Sequence, residues 1–429
     1  MNWIYHPDLL ATPVPRYTSY PTAAEFSDKV GARDLEAAFT GIGPDQPISL
    51  YVHIPYCHEI CWYCGCNTGA ANKAQRLAGY LKTLVAEIEL VAGKLAGRGQ
   101  VKRIAFGGGS PNAISPDQFA ELLATLRDAF LAHDALLSIE LDPRSLGGPW
   151  FDAISTAGVR RASLGVQTLD PKVQRAIGRW QPIDLIEVAV QELRRAGVES
   201  LNFDLMYGLP DQTLEGARKD IETAVASGVA HVSAYHLTLE PNTLFFHHPP
   251  SLPGDDLAAD MQEAVEQTLD QAGYGHYETA AFAKPGRESR HNMNYWLFGD
   301  YLGIGAGAHS KISFADRIVR QMRYRQPREY LARADGTTLE SGPPIMEQHE
   351  LGREDRAFEF MMNALRLTGG FATDMFVERT GLSLTTVQRQ LEEAEQRMLI
   401  TRDHQHIAPT RMGRRFLNDL LQIFLPNAG

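Results

Sequence analysis

The stretch YVHIPYCHEICWYCGCNT, residues 51–68, decides how the rest of this chain is read. It opens as an apolar, β-branched strand that stops at Pro55. It then sets down Cys57, Cys61, Cys64 and Cys66, the only four cysteines in 429 residues. Disulfides staple distant parts of small secreted domains, whereas a chain this long buries a core of its own. These cysteines therefore read as reduced thiols gathered for chemistry. Cys57, Cys61 and Cys64 stand at C-x3-C-x2-C spacing, with Cys66 two residues on, so one loop can wrap a single inorganic centre. Two centres suit such a set. A zinc site would need His53 or His58 to complete it, because no second cysteine knuckle exists. An iron–sulfur cluster held by three thiolates would leave one iron open to a small molecule.

Outward from this stretch, six segments combine apolar and β-branched residues and close on Pro or Asp. They are ISLYVHIP (48–55), VKRIAFGGGSP (101–111), LLSIELDP (136–143), RASLGVQTLD (161–170), SLNFDLMYGLP (200–210) and HVSAYHLTLEP (231–241). Helical patterns lie between most of them, such as RLAGYLKTLVAEIELVAGKL (76–95) and PIDLIEVAVQELRRAGV (182–198). Alternation of strand and helix predicts an α/β fold with parallel pairing and right-handed crossovers. In such folds the carboxyl ends of the strands build the active face.

Those ends carry polar groups. GGGSP (107–111) offers backbone with no side chain in the way of a ligand. Glu140, Asp142, Gln167 and Asp204 close later strands, where a buried carboxylate or amide needs a partner that ligand hydroxyls can supply. GIGAGA (303–308) fits a dinucleotide fingerprint, but no β-α-β unit follows it, so it reads as a close-packed turn.

Residues 1–40, with Pro13, Pro15 and Pro21, read as an N-terminal arm, and 41–312 as the α/β body. Residues 313–429 read as a mainly helical, winged-helix-like accessory domain. There EDRAFEFMMNALRL (354–367) and SLTTVQRQLEEAEQRML (383–399) precede a hairpin at ITRDHQHIAPT (400–410). A net charge of -11 and a pI near 5.7 argue against a nucleic-acid partner, which demands a basic footprint. Arg160-Arg161 and the run from Arg317 to Arg328 are local basic clusters, read as solvated arginines. No run of about 18 apolar residues occurs, so a soluble, cytoplasmic protein without an integral membrane segment is expected.

The cysteine spacing directly after the first strand, with Tyr63 before the third cysteine, resembles the radical S-adenosylmethionine superfamily. The resemblance implies an incomplete (β/α)6 TIM-like barrel and a [4Fe-4S] cluster on Cys57, Cys61 and Cys64. The fourth iron would bind S-adenosylmethionine, and one electron would cleave it to a 5'-deoxyadenosyl radical. Within the superfamily, PRYTSYPTA (15–23), SLYVHIPYCHEICWYCGCN (49–67), GGGSP, SIELDPR (138–144), SLGVQT (163–168) and NFDLMYGLPDQT (202–213) resemble the oxygen-independent coproporphyrinogen III dehydrogenases. That likeness implies that Tyr51, Gly108, Gly109, Ser110, Glu140, Gln167, Arg179 and Asp204 hold S-adenosylmethionine. Cys66 would be a catalytic thiol beside a second one, with Asn294 where that family carries a glutamine. The implied reaction is oxidative decarboxylation of two propionates of coproporphyrinogen III to vinyls, giving protoporphyrinogen IX without oxygen.

After residue 230 the likeness shifts. AYHLTLEPNT (234–243), ESRHNMNYW (288–296), YLGIGAGAHS (301–310) and RAFEFMMNALRL (356–367) resemble the haem chaperones descended from the same enzyme. Leu237-Thr238-Leu239 stands near where the dehydrogenases carry Tyr-Ala-His. The alternative implied is a chaperone that binds haem, a [4Fe-4S] cluster and S-adenosylmethionine without decarboxylase activity, with His291 at the haem. Either way the expected partners are a tetrapyrrole substrate or haem and a small electron-donor protein such as a flavodoxin or ferredoxin. The chain itself is expected to be a monomer.

Overall fold

The structure, a computed structural model, describes residues 42–71, 74–314, 316–333 and 345–426. The N-terminal arm expected over 1–40, with Arg16, Tyr17 and Tyr20, lies outside them. All six expected segments are strands: β1 (Pro47–Ile54), β2 (Gln100–Gly108), β3 (Leu136–Leu141), β4 (Arg161–Gln167), β5 (Ser200–Tyr207) and β6 (His231–His236). Each pairs in parallel with the next. Parallel strands covered on both faces are usually apolar throughout. Here they alternate. In β4, Ala162, Leu164 and Val166 are buried, while Arg161, Ser163, Gly165 and Gln167 point the other way. One face is thus the core and the other lines a polar cleft.

The helices cover the apolar face. Ala74–Leu95 buries Leu84, Ile88 and Val91, and Pro116–Ala129 begins at a capping box, Ser115 with Gln118, that satisfies its first amides. Past β6 the chain adds β7 (Gly275–Glu278) and β8 (Ala281–Ala283), antiparallel at the β6 edge. β9 (Tyr301–Ile304) then returns parallel to β1. The antiparallel strands β10 (His309–Ser313), β11 (Ile318–Arg323) and β12 (Ile345–Glu350) extend the sheet outward from β9. Among the described residues the sheet has twelve strands in the order β12-β11-β10-β9-β1-β2-β3-β4-β5-β6-β8-β7, and its outermost strands do not pair with each other. The barrel is incomplete, as expected. GIGAGA is the turn leaving β9; a side chain at Gly305, with φ of 102°, would meet the His53 carbonyl and the Tyr80 hydroxyl at 2.6 Å.

A buried ion pair locks this edge to the helix Ala74–Leu95. Arg323 Nε donates to Glu87 Oε1 at 2.6 Å, and the Tyr330 hydroxyl donates to Glu87 Oε2 at 2.6 Å. All three residues are fully buried. The C-terminal region packs its own core around Phe358, Phe360, Phe376 and Leu391. Its helices, Thr373–Thr380 and Gln388–Gln396, stand beside a hairpin of Ile400–Arg402 and His406–Pro409, with Phe371–Ala372 as a third strand. This is the winged-helix-like arrangement expected. No described helix is long and apolar enough to cross a membrane.

Candidate functional site

The cysteine loop leaves β1 at Pro55 and is pinned at both ends by a two-residue parallel pairing of Tyr56–Cys57 with Gly69–Ala70. His53 fastens it further, bonding the Asn67 carbonyl through Nε2 and the Tyr51 hydroxyl through Nδ1. Mid-loop, the Trp62 amide donates to the Ile177 carbonyl. Thus fixed, Cys57, Cys61, Cys64 and Cys66 all line one cleft of about 390 Å³ at the carboxyl ends of β1 to β6.

Donors are aimed at the sulfurs. Arg179 Nη1 donates to Cys61 Sγ at 3.2 Å, and Thr68 Oγ1 donates to Cys57 Sγ at 3.3 Å. A hydrogen bond from Cys66 lowers the Cys64 thiol to about 6, with the Arg179 charge helping; Cys66, as the donor, is pushed well up. Burial raises Cys57 to about 11. Arg179 is itself anchored by Asp142 Oδ1 at 3.3 Å and the Gly165 carbonyl at 2.6 Å. Burial works against the Asp142 charge, but hydrogen bonds from Arg144 and the Arg179 charge hold its carboxyl below the usual range.

His53, engaged with Asn67 and Tyr51, is not free to complete a zinc site. Among the described residues no three of His, Cys, Asp and Glu converge as the ligands of one ion would. Three thiols spread along a loop with cationic and hydroxyl donors at their sulfurs fit a polynuclear cluster, whose corners stand farther apart than the ligands of a single ion.

The glycines serve packing as well as access. A Cβ on Gly109 would lie 2.7 Å from the Tyr56 carbonyl oxygen, and one on Gly107 would lie 2.8 Å from Glu140 Oε2. Beside them, Glu140 is raised to about 7, first by burial and then by the charge of Asp204, with the Gly108 amide opposing. Burial also raises Asp204, although Ser163 Oγ donates to it at 2.5 Å and Asn202 Nδ2 at 2.8 Å. Two carboxylates thus face one space, with the Arg161 charge acting on Asp204. Gln167 reaches the same space from a strained backbone. Its φ is 67°, and the Thr168 amide closes a γ-turn on the Val166 carbonyl at 2.9 Å.

Of the residues singled out by sequence, Gly108, Gly109, Ser110, Glu140, Gln167, Arg179, Asp204, His291 and the four cysteines line the cleft. Tyr51 stands just behind, its ring stacked on that of His291 at 5.8 Å. Asn294 is turned away; its amide donates to the Asp300 carbonyl at 3.0 Å. His291 sits on the short helix Arg290–Trp296, where Nε2 meets the Tyr295 hydroxyl at 3.1 Å and the buried Nδ1 has no partner. Burial, then the charges of Arg161 and Arg103, lower it to about 4, so its ring is neutral.

Sequence reasoning missed a relay behind the carboxylates. Asn202 joins Ser163 and Asp204 to His231 Nδ1 at 2.6 Å; His231 Nε2 meets the Tyr277 hydroxyl at 2.7 Å, which accepts from the Ser289 amide at 3.0 Å. Ser289 caps the helix that carries His291. The signal available was the alternation of polar residues along these strands: Arg161, Ser163 and Gln167 in β4, Ser200, Asn202 and Asp204 in β5, and His231, Ser233 and Tyr235 in β6.

Residues 51–224 match the Radical SAM superfamily, and residues 351–416 match the HemN C-terminal domain. Heme chaperone HemW of Escherichia coli (strain K12) is 39% identical over 381 residues, spanning 88% of this chain and 98% of its own. An oxygen-independent coproporphyrinogen III oxidase of Bradyrhizobium diazoefficiens is 38% identical over 278 residues, 63% of this chain and 61% of its own. Among solved structures, coproporphyrinogen III oxidase (HemN) from Escherichia coli, described as a Radical SAM enzyme, superimposes with a TM-score of 0.82 at 27% identity. It covers 95% of this chain and 96% of that one.

Proposed function

This chain belongs to the radical SAM superfamily, in the group shared by heme chaperone HemW and oxygen-independent coproporphyrinogen III oxidase, and on that premise we propose that it is a haem chaperone. Cys57, Cys61 and Cys64 would hold a [4Fe-4S] cluster, their thiolates stabilised by the charge-assisted donor Arg179 and by Thr68. Gly108 to Ser110, Glu140, Gln167 and Asp204 would receive S-adenosylmethionine, whose sulfonium relieves the repulsion between the two carboxylates. Bound together, cluster and cofactor supply one-electron chemistry, fed by a small electron-donor protein such as a flavodoxin or ferredoxin.

The observation that carries the haem reading is His291. Its Nδ1 is buried without a partner, its ring is held between Tyr51 and Tyr295, and its neutral form is the one that ligates iron. The turning away of Asn294 supports a single S-adenosylmethionine rather than two. Titration of anaerobically reconstituted protein with haem tests this. One haem per chain with a histidine-ligated Soret band is expected, and His291→Ala should lose that band while keeping the cluster absorbance. An unchanged band in the variant would refute His291 as the ligand.

A second reading, decarboxylation of coproporphyrinogen III, is favoured by Cys66. This fourth thiol lines the same cleft and is hydrogen-bonded to Cys64. Vinyl product formed only with Cys66 present would select that reading.

A further inference from the structure

Below the cysteines, the cleft ends on Arg161, with Arg103 close behind it. Arg161, the first residue of β4, points into it and lines it beside Ser289, His291 and Asn292. Its hydrogen-bond partners are neutral: Ser200 Oγ at 3.0 Å and the Arg287 carbonyl at 3.5 Å. Arg103, on the inward face of β2 beside Ala105, has a buried Nε without a partner. Its charge and that of Arg161 both reach the His291 ring, and the exposed Arg290, on the helix that carries His291, adds a like charge at Arg103. Among the described residues none of these three arginines is in an ion pair, whereas the buried guanidinium groups of Arg179, Arg320 and Arg323 each meet a carboxylate. Asp204 is near enough to feel Arg161, but its oxygens are engaged by Ser163 and Asn202.

Burying the Arg161 guanidinium without an anion hydrogen-bonded to it is costly, and a like charge nearby adds repulsion. A fold keeps such a group where a ligand completes it. The planar fork of arginine matches a carboxylate bidentately. We propose that Arg161, backed by Arg103 and Arg290, is the subsite that receives a propionate carboxylate of the tetrapyrrole, beside His291. The inference rests on the tetrapyrrole reading above but not on the choice between chaperone and decarboxylase, because haem and coproporphyrinogen III both carry propionates. The methionyl carboxylate of S-adenosylmethionine has the same chemistry, so the test separates the two sources.

The probes are iron mesoporphyrin IX and its dimethyl ester, titrated by Soret absorbance into the full-length, cluster-reconstituted protein, with S-adenosylmethionine affinity measured alongside. The wild type should bind the diacid about tenfold or more tighter than the diester, since a hydrogen-bonded charge contributes roughly 1.5–3 kcal/mol. Arg161→Gln should bring the diacid down to the affinity of the diester. Ester binding, S-adenosylmethionine affinity and cluster absorbance should stay as in the wild type, and Arg161→Lys should recover part of the discrimination. Arg103→Gln repeats the comparison with Arg161 in place, should Arg161→Gln not hold a cluster. Equal binding of acid and ester by the wild type, or equal loss of both in Arg161→Gln, would overturn the subsite while leaving tetrapyrrole binding intact. Loss of S-adenosylmethionine instead of porphyrin would overturn it in favour of the cofactor's carboxylate. If the wild type bound neither porphyrin, the tetrapyrrole reading would fail and the subsite with it.

Discussion

Arg179 stands with one guanidinium nitrogen 3.2 Å from the sulfur of Cys61. The same side chain reaches Asp142 after β3 and the carbonyl of Gly165 in β4, so the middle of the cysteine loop is tied to two strands through one buried cation. Arg179→Gln removes the charge and the fork together. Iron affinity should fall by about tenfold, the lower range for partners that orient metal ligands. Iron and sulfide per chain after reconstitution measure it; wild-type content in the variant would mean that Arg179 acts elsewhere.

Glu140 links the cleft to pH. Its folded value of about 7 lies above the ordinary 4.5, so between those values the folded state holds a proton that the unfolded state has lost. Stability of the cluster-free protein should therefore fall as pH rises from about 4.5 to about 7 and change little from this group beyond. Glu140→Gln abolishes that arm. Melting temperatures at about pH 5 and pH 8 check the sign: the variant should gain on the wild type at the higher pH only. Because the side chain faces the open cleft, solvent reduces the size of the effect.

The Glu87–Arg323 pair tests the edge of the sheet. Glu87→Ala strands a buried guanidinium and leaves Tyr330 without its acceptor, so unfolding free energy should drop by about 3–5 kcal/mol. Denaturant melts of the single variant and of Glu87→Leu with Arg323→Met distinguish a lost pair from lost packing. The double variant should recover much of the loss.

Gln167→Gly separates fold from ligand. Glycine accepts φ of 67° without strain, so the fold should gain roughly 1 kcal/mol, less the entropy glycine adds to the unfolded chain. S-adenosylmethionine binding should weaken. Calorimetric titration alongside thermal melts reads both, and weaker stability with unchanged binding would contradict the role given to this turn.

Much of this site was legible because strand ends announce themselves. Cys57 to Cys66, GGGSP, Glu140, Gln167 and Asp204 each follow an apolar β-branched run, and parallel pairing brings such ends together whatever their distance in sequence. Side-chain direction was less legible. Asn294 lies three residues from His291 on the same short helix, and so on nearly the same face, yet its amide is taken by the Asp300 carbonyl just past the helix end, a partner that helical periodicity does not show. Arg161 was read as solvated; it is the first inward residue of β4, and only the register of the sheet shows that. The strands β10 to β12 were hidden because their buried positions include Lys311 and Arg323, which mimic surface residues until Asp300 and Glu87 are found beside them. The γ-turn at Gln167 has no sequence signature, since glycine is the residue usually expected at positive φ.

The most direct measurement is product analysis. Anaerobically reconstituted protein is incubated with coproporphyrinogen III, S-adenosylmethionine and a reductant, and in parallel with haem. A haem chaperone predicts S-adenosylmethionine bound at the cluster, haem retained through His291 and no vinyl-bearing porphyrin above the Cys61→Ala background. Protoporphyrinogen IX formed over many turnovers would contradict that account and identify the chain as the decarboxylase.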